Sequence, residues 1–344
     1  MATYQGAGVN IFTSDRFKEM IKERVKRAWP GSEDNIGAFA GGGLIPAHDK
    51  IVKGSVDGVG TKAIIAALAG IFSHIGVDAV AMSAMDMYAA GAYPVYALDT
   101  LEVGRLVPDI HIRVIDSVIS GCVIAGCRLI GGETAELPDL FKHPWMMNLN
   151  VAIIGFPSPE LTFEQVAPYD AVYGWPSYGI CSNGFSLVRE VFGLREAPRI
   201  AQRRLAKYWN SLDGALGDAL LRPTPIWIKE IEAQRKRGVK FAGHAHITGG
   251  GMQGNIPRIL PANCKVIIDK SAWRRPAIFP LLLQAGEITD QEMDRVFNQG
   301  IIVVSIVSGG GVDMNDRAAL KIGWVEGREG REPQVIFINK YHDQ

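Results

Sequence analysis

The stretch SVDGVGTKAIIAALAGIF, residues 55–72, decides the fold of this chain. The apolar pair Ile51–Val52 leads into it, three glycines interrupt or end it, and a long alanine-rich apolar run follows Lys62. A short apolar piece, a glycine-containing break and a longer apolar run predict a strand, a loop and a helix in that order. Such a strand, loop and helix unit is typical of α/β proteins.

The same alternation continues outward from this stretch. Val77 to Ala90 predicts a buried helix, Pro94 to Val103 a strand, and Pro108–Asp109 the start of another helix. We expect the inward face of that last helix to carry Ile112, Ile115, Val118, Ile119 and Cys122. Upstream, Ser14 or Asp15 is expected to cap a first helix, and Ile36–Leu44 reads as a glycine-rich loop.

The second half repeats this organisation after a change of composition. The strand-like Arg128–Ile130 precedes GGETAELP at Gly131–Pro138, and a further strand is expected at Leu149–Phe156. Prolines and acids then dominate Pro157–Asp170, which predicts a junction between domains 1–165 and 166–344. The landmarks of the second domain are the strand Ala171–Trp175, the turn Ser182–Gly184, a helix start at Pro223–Pro225, the loop His246–Gly251, and the strands Val266–Asp269, Ile301–Val307 and Val335–Ile338.

Composition excludes several classes of protein. The 344 residues carry 36 basic and 36 acidic side chains without long blocks of one sign, which argues against a nucleic-acid partner. No apolar run reaches the length of a membrane span, and the first residues lack signal-peptide features, so we expect a cytoplasmic protein. The four cysteines are too few for a disulfide framework, and their spacing matches no zinc motif.

The segment Ser55–Lys62 is the first candidate for binding phosphate. Gly58 and Gly60 would let the backbone approach a ligand, Thr61 adds a hydroxyl and Lys62 a positive charge. The spacing is not that of a P-loop, and a tight glycine turn explains the residues equally well.

Three carboxylates are candidates for binding Mg²⁺. Glu133 follows an apolar strand, where open α/β sheets bind ligands, although the same segment could be a capped helix start. Asp86 lies within an otherwise apolar run, where an unpaired carboxylate is costly. Asp57 precedes the glycines of the first candidate segment, and spacing alone does not show that the three meet.

The loop HITGGG is a second amide-rich candidate. It could bind a phosphate with help from Arg258, or it could be a structural glycine turn. His246, taken alone, is more often a hydrogen-bonded structural histidine than a catalyst. No ordering of Ser, His and Asp argues for hydrolysis.

Taken in order, these segments resemble the phosphoribosylformylglycinamidine cyclo-ligases, the aminoimidazole ribonucleotide synthetases. The resemblance covers nearly the whole chain and rests on AGVNI, SVDGVGTK, AGAYPVYALDT, GGETAELP, SNGFSLVR, RPTPIW, AHITGGG, NIPRILP and VFNQG. It implies a two-domain α/β (α+β-like) subunit with an N-terminal mixed sheet that pairs across a homodimer and a C-terminal α/β layer domain.

The resemblance also implies a reaction in purine biosynthesis. ATP would phosphorylate the amide oxygen of formylglycinamidine ribonucleotide, and a nitrogen of the same molecule would then attack that carbon and expel phosphate. ATP and Mg²⁺ are the implied cofactors, and the need for a monovalent cation stays open. The expected partners are these small molecules and a second copy of the chain, with neither nucleic acid nor membrane.

Residue roles follow from the same resemblance. Asp57, Asp86 and Glu133 would hold Mg²⁺ on the nucleotide phosphates, with Lys62 offsetting charge on the transferred group. The ATP and phosphate contacts would come from Gly41, Gly42, Gly43, Gly58, Gly60 and Thr61. The substrate contacts would come from Ser182, Asn183, Gly184, His246, Thr248, Gly249 and Gly250.

Four positions depart from the family pattern. Met85 replaces the usual asparagine, Tyr93 the usual glutamate, Cys181 the usual histidine and Ile302 the usual glycine. The lost histidine is the natural candidate for substrate contact or proton transfer, so either backbone and metal carry the chemistry or another group such as His246 supplies the proton. Two alternatives stay open: a non-catalytic nucleotide-binding paralogue, and another ATP-dependent enzyme of the same fold superfamily.

Overall fold

The computed structural model describes residues 50–309 and 318–343, together with 40–45, 314 and single positions before residue 28. These residues divide into two compact units, Thr3–Leu161 and Thr162–Gln344. Most of the predicted first helix, and residues 36–39 of the predicted glycine-rich loop, lie outside the described residues.

The N-terminal unit contains a five-stranded mixed sheet, and three helices lie between its second and fourth strands in the sequence. The strands are β1 (Gly41–Ile45), β2 (Lys50–Gly58), β3 (Ala92–Val103), β4 (Arg128–Glu136) and β5 (Met147–Pro157). The helices are α1 (Lys62–Ala69), α2 (Ile75–Ala89) and α3 (Pro108–Ala125). The strand order is β1-β2-β5-β3-β4, in which β3 and β4 are parallel and the other neighbours antiparallel. The predicted mixed sheet is therefore confirmed.

Two segments of this unit that were not predicted as strands are strands, and the loop predicted at Gly41–Gly43 is wrong. Gly41–Gly43 belong to β1, where Gly41 pairs with Gly54 and Gly43 with Val52. GGETAE continues β4 as far as Glu136, in parallel register with β3, instead of opening a helix. Glycine has a low strand propensity, so the sequence of neither segment predicts a strand. Both become strands because a neighbouring strand supplies their hydrogen bonds.

Helices α2 and α3 pack together through glycines. A Cβ on Gly76 would lie 2.2 Å from Val118 N, and one on Gly121 would lie 2.9 Å from Val80 Cβ. Ser117 Oγ accepts hydrogen bonds from the first amides of α2, at 2.9 Å from Gly76 N. This approach turns the Ser117 and Val118 side of α3 inward.

The inward face of α3 differs from the predicted one. Val118 and Cys122 are buried as expected, but Ile112 is 55% and Ile119 46% exposed. The prediction that these two isoleucines face inward is therefore wrong. The apolar residues of α3 cover a wide part of its surface, so the sequence did not show which side of the helix faces the sheet and α2.

The C-terminal unit is built on a six-stranded sheet. Its strands are β6 (Ala171–Pro176), β9 (Phe241–His246), β10 (Cys264–Asp269), β12 (Ile301–Val307), β13 (Leu320–Gly327) and β14 (Val335–Ile338). Their order in the sheet is β14-β10-β13-β6-β12-β9. Two short strand pairs lie outside this sheet: β7 (Tyr208–Trp209) with β8 (Gly214–Ala215), and β11 (Arg274–Arg275) with β15 (His342–Asp343). Its helices are α4 (Phe185–Val191), α5 (Pro198–Leu205), α6 (Leu216–Leu220), α7 (Ile228–Lys236), α8 (Gly251–Asn255), α9 (Ile278–Gly286) and α10 (Asp290–Val296).

The predicted α/β layer of this unit is confirmed, with three local corrections. His246 ends β9 rather than opening a loop. The helix expected at Pro223–Pro225 begins only at Ile228. Strands β9 and β13 were not predicted.

In the part of the chain that the structure describes, no helix is long and apolar enough to cross a membrane. The cytoplasmic location stays a prediction.

Candidate functional site

The glycine segment after β2 leaves its backbone open at Gly60. Strand β2 ends at Gly58, α1 begins at Lys62, and Asp57 Oδ1 accepts a hydrogen bond of 2.7 Å from Gly58 N. Gly60 is exposed with φ of 53°, and no atom lies within 4 Å of the position a Cβ would take. A ligand can therefore approach the backbone of Gly60 and Thr61 closely.

Lys62 does not face solvent at this loop. Its side chain is 0% exposed, and its Nζ lies 2.7 Å from Oδ2 of Asp78, which is also 0% exposed. The pair joins the start of α1 to the first turn of α2. In the structure Lys62 thus fixes the helix that follows the loop, and its contact with a phosphate stays a prediction.

The three predicted metal ligands lie on three separate elements. Asp57 is half-buried near the end of β2, and Asp86 is the one residue of α2 that is not fully buried. Glu133 is exposed on β4 at the edge of the sheet.

Sheet register separates Asp57 from Glu133. Asp57 shares a row with Val151, Asp99 and Gly132, whereas Glu133 belongs to the adjacent row with Thr100 and Asn150. Adjacent rows point to opposite faces of a sheet, and three strand spacings amount to about 14 Å. Among the described residues, accordingly, no group of three His, Cys, Asp or Glu side chains could hold a metal ion.

The buried Asp99 explains one glycine of GGET. A Cβ on Gly132 would lie 2.2 Å from Asp99 Oδ1, so the carboxyl group occupies the space above that glycine. Burial raises the pKa of Asp99 above the usual value of a carboxyl group. This glycine is therefore explained by packing within the sheet, without a ligand.

The predicted substrate residues of the C-terminal unit do come together in part. Asn183 of the SNG turn lies beside Gly249 of the HITGGG loop, where a Cβ would be 3.7 Å from Asn183 Oδ1. The hydroxyl of Ser182 lies 3.5 Å from that of Thr224 in the RPTPIW segment. Asn183 Nδ2 is buried and makes no hydrogen bond with a described residue, as expected of a donor whose acceptor belongs to a ligand.

Asn255 holds the HITGGG loop in place through hydrogen bonds from its side chain. It is 0% exposed, and its Nδ2 donates to the carbonyl oxygens of Gly251 at 2.8 Å and of Thr248 and Gly249 at 3.4 Å. A side chain on Gly251 is excluded, because a Cβ there would lie 1.9 Å from Asp294 O. The loop conformation is thus fixed before any ligand binds.

Asn298 does the same for the turn that carries Cys181 and Asn183. Its Nδ2 donates to Gly179 O at 3.2 Å and Ile180 O at 3.1 Å, and its Oδ1 accepts from Gly300 N at 2.7 Å. Cys181 is buried in a left-handed conformation with φ of 66°. Such backbone strain is typical of functional sites and persists where the surroundings hold it.

Sequence reasoning missed Thr224, Asn255 and Asn298 as members of this site. All three lie in segments that carried the family resemblance, RPTPIW, NIPRILP and VFNQG. Their place in these segments was the one signal in the sequence that could have identified them. The residues that they contact could not be recognised from the local sequence.

His246 is not at the surface of the predicted substrate site. It is 0% exposed at the end of β9, like His244 two residues earlier. His244 Nδ1 lies 2.7 Å from Ser305 Oγ, and burial lowers the pKa of this imidazole to about 3. Both histidines are buried on β9. A proton-transfer role for His246 stays a prediction, and its burial argues against that role.

Comparison with known proteins gives the family. The N-terminal domain model of AIR synthase related proteins matches residues 42–156, and the C-terminal domain model matches residues 167–331. Phosphoribosylformylglycinamidine cyclo-ligase from Thermoanaerobacter pseudethanolicus is 40% identical over 90% of this chain and 91% of its own. The same-named protein from Myxococcus xanthus is 36% identical over 97% and 99%.

Solved structures agree on the fold at lower identity. Thiamine monophosphate kinase from Aquifex aeolicus superposes with a TM-score of 0.59 and 15% identity over 95% of this chain and 98% of that one. AaThiL complexed with AMPPCP and TMP gives a TM-score of 0.59 and 15% identity over 94% and 93%. These structures share the architecture alone, whereas identity over almost the full length shows that the chain belongs to the phosphoribosylformylglycinamidine cyclo-ligase family.

Proposed function

We propose that this protein converts formylglycinamidine ribonucleotide and ATP into aminoimidazole ribonucleotide, ADP and phosphate. The observation that carries the proposal is family membership along nine-tenths of the chain. Nitrogen cannot displace an amide oxygen directly, because that oxygen is a poor leaving group. Transfer of the terminal phosphoryl group to it makes phosphate the leaving group, and the ring then closes by attack of a nitrogen within the same molecule.

The N-terminal unit, over about residues 1–165, is the proposed ATP-binding part. The open backbone at Gly60 and Thr61 supports a phosphate contact there. The contacts predicted for Gly41–Gly43 and Gly58 rest on family membership alone, because Gly41–Gly43 pair within the sheet and a Cβ on Gly58 would lie 2.2 Å from Asn150 Oδ1. Lys62 acts in this proposal as a positioning residue, because its pair with Asp78 fixes the start of α1 directly after the loop.

Mg²⁺ fits this site as an ion delivered with the nucleotide rather than as a resident of a protein cage. The separation of Asp57 from Glu133, and the lack of a three-ligand group among the described residues, argue against a cage. Mg²⁺ commonly uses one or two carboxylates plus substrate phosphates and water. We propose Asp57 as the main protein ligand because it adjoins Gly58 and the open loop. When bound, the ion neutralises charge on the phosphates. The roles of Asp86 and Glu133 follow from family membership alone.

The C-terminal unit, over about residues 166–344, is the proposed substrate-binding part. Asn183 would donate its amide hydrogens to the substrate, and the neighbouring Gly249 and Gly250 would let the substrate lie against the backbone. Asn255 and Asn298 hold these two segments in place and so limit the rearrangement that binding requires.

A homodimer formed through the N-terminal sheet is part of the proposal. Strand β4 lies at the edge of that sheet, with Gly131–Thr134 exposed, and the sheet exposes Val56 to 70%. Exposed strand edges and apolar sheet faces are normally covered, and a second copy of the same sheet covers both.

The proposal is tested by incubating the purified protein with ATP, Mg²⁺ and formylglycinamidine ribonucleotide and measuring aminoimidazole product and ADP. Product that requires all three components is expected. Asn183→Ala should raise KM for the ribonucleotide, whereas Asn210→Ala, at an exposed asparagine of the same unit, should behave as wild type. ATP binding without product would support the non-catalytic paralogue instead.

A further inference from the structure

The C-terminal unit contains a cavity of about 450 Å³ that includes none of the predicted site residues. Its walls come from Pro176–Tyr178 at the end of β6, from Ser211–Asp213 before β8, and from Trp273, Arg274 and 276–278 around β11. Its volume is within the range of small-molecule sites in proteins.

Positive charge dominates the lining. Arg222 and Arg274 both line the cavity, and Asp213 is the one acidic side chain among the lining residues. Arg274 is exposed, and its guanidinium makes no ion pair or hydrogen bond with the described part of the chain. It is therefore available to a ligand without the loss of an internal contact.

The remaining polar groups are fixed in place. Arg222 Nη1 donates to Tyr178 O at 3.2 Å, so this guanidinium is held against the cavity wall. Asp213 Oδ1 accepts a 2.7 Å hydrogen bond from Tyr208, which leaves its second oxygen for another donor. Two arginines and one carboxylate form a set that suits a phosphate group and a hydroxyl group on one molecule.

The cavity wall is connected to the proposed substrate turn. Ser177 N donates to Gly300 O at 2.7 Å, and Ser177 Oγ lies 2.8 Å from Asn298 Oδ1. Asn298 in turn binds the carbonyl oxygens of Gly179 and Ile180, just before the SNG turn. A molecule in the cavity therefore lies against the same rigid network that holds Asn183.

We propose that this cavity binds a sugar phosphate, with Arg222 and Arg274 on the phosphate and Asp213 on a sugar hydroxyl. The choice of a pentose phosphate rests on the proposed function, whose substrate is a ribonucleotide. The occupant is either the phosphate end of that substrate or a separate sugar phosphate.

Isothermal titration of the full-length protein with ribose 5-phosphate tests the proposal without requiring turnover. Wild type and Arg199→Ala, an exposed arginine of the same unit outside the cavity, are expected to bind equally. Arg274→Ala should weaken binding at least tenfold, a loss of about 1.4 kcal/mol. No binding to wild type, or equal binding to Arg274→Ala, would overturn the proposal.

Steady-state kinetics of Arg274→Ala then identify the occupant. A raised KM for the ribonucleotide with unchanged kcat would assign the cavity to the substrate's own phosphate. An unchanged KM beside lost ribose 5-phosphate binding would assign it to a separate sugar phosphate. Failure of the proposed function would appear instead as absent turnover in wild type with the binding result intact.

Discussion

Replacing Asp78 by alanine tests how the glycine loop is anchored. The change removes the carboxylate that lies 2.7 Å from the Lys62 ammonium group, and solvent cannot replace the lost contact because both side chains are 0% exposed. Removing one partner of a buried ion pair costs about 3–5 kcal/mol. For a protein with domains of this size we expect the melting temperature to fall by about 6–20 °C. The free energy of unfolding in urea gives the magnitude directly.

The double variant Lys62→Met with Asp78→Leu is the matched control. Apolar residues of similar volume commonly replace a buried ion pair at little cost, so stability should return close to that of wild type. A loss below about 1 kcal/mol in Asp78→Ala, the size of a surface pair, would refute the burial argument. If the stable double variant shows a many-fold higher KM for ATP, Lys62 contacts phosphate and does more than position the loop.

Three further predictions concern the C-terminal unit and the glycine loop. The Cys181→Ser variant should keep most of its activity, because the backbone and the Asn183 amide, rather than the thiol, are proposed to bind the substrate. Lost turnover with retained ATP binding would show that the thiol participates. Gly251→Ala should destabilise far more than Gly60→Ala, since both have positive φ but only Gly251 faces a carbonyl oxygen, 1.9 Å from a Cβ; equal losses in urea unfolding would contradict the packing argument. Burial lowers the folded-state pKa of His244 to about 3, so stability is fully present above about pH 6.5 and is lost as pH falls toward 3, by about 2 kcal/mol at pH 5. His244→Leu should reduce that pH dependence between pH 7 and 5, and an unchanged slope would be evidence against it.

Elements with strong local signals were predictable from sequence. The helix expected from Val77 to Ala90 is α2, and the strand expected from Pro94 to Val103 lies within β3, because buried apolar runs of those lengths leave few alternatives. The start of β4 was predicted at Arg128–Ile130, but its continuation to Glu136 was not, since the pairing with β3 and the fit of Asp99 over Gly132 involve residues distant in sequence.

The sequence predicted which segments form the candidate site, but it predicted the positions of their side chains less well. The SNG turn and the HITGGG loop do meet, through Asn183 and Gly249. Nothing local revealed that Lys62 pairs with Asp78, sixteen positions later, or that His246 lies inside a sheet. Register also separates Asp57 from Glu133, and register depends on the whole sheet rather than on either motif.

The most direct test of the proposed chemistry follows one oxygen atom. Formylglycinamidine ribonucleotide labelled with ¹⁸O at its amide oxygen is incubated with the protein, ATP and Mg²⁺, and the released phosphate is analysed by mass spectrometry. Phosphorylation of that oxygen predicts one ¹⁸O atom in each phosphate, with one aminoimidazole ribonucleotide formed per ADP. Unlabelled phosphate, or ADP formed without cyclised product, would contradict the account.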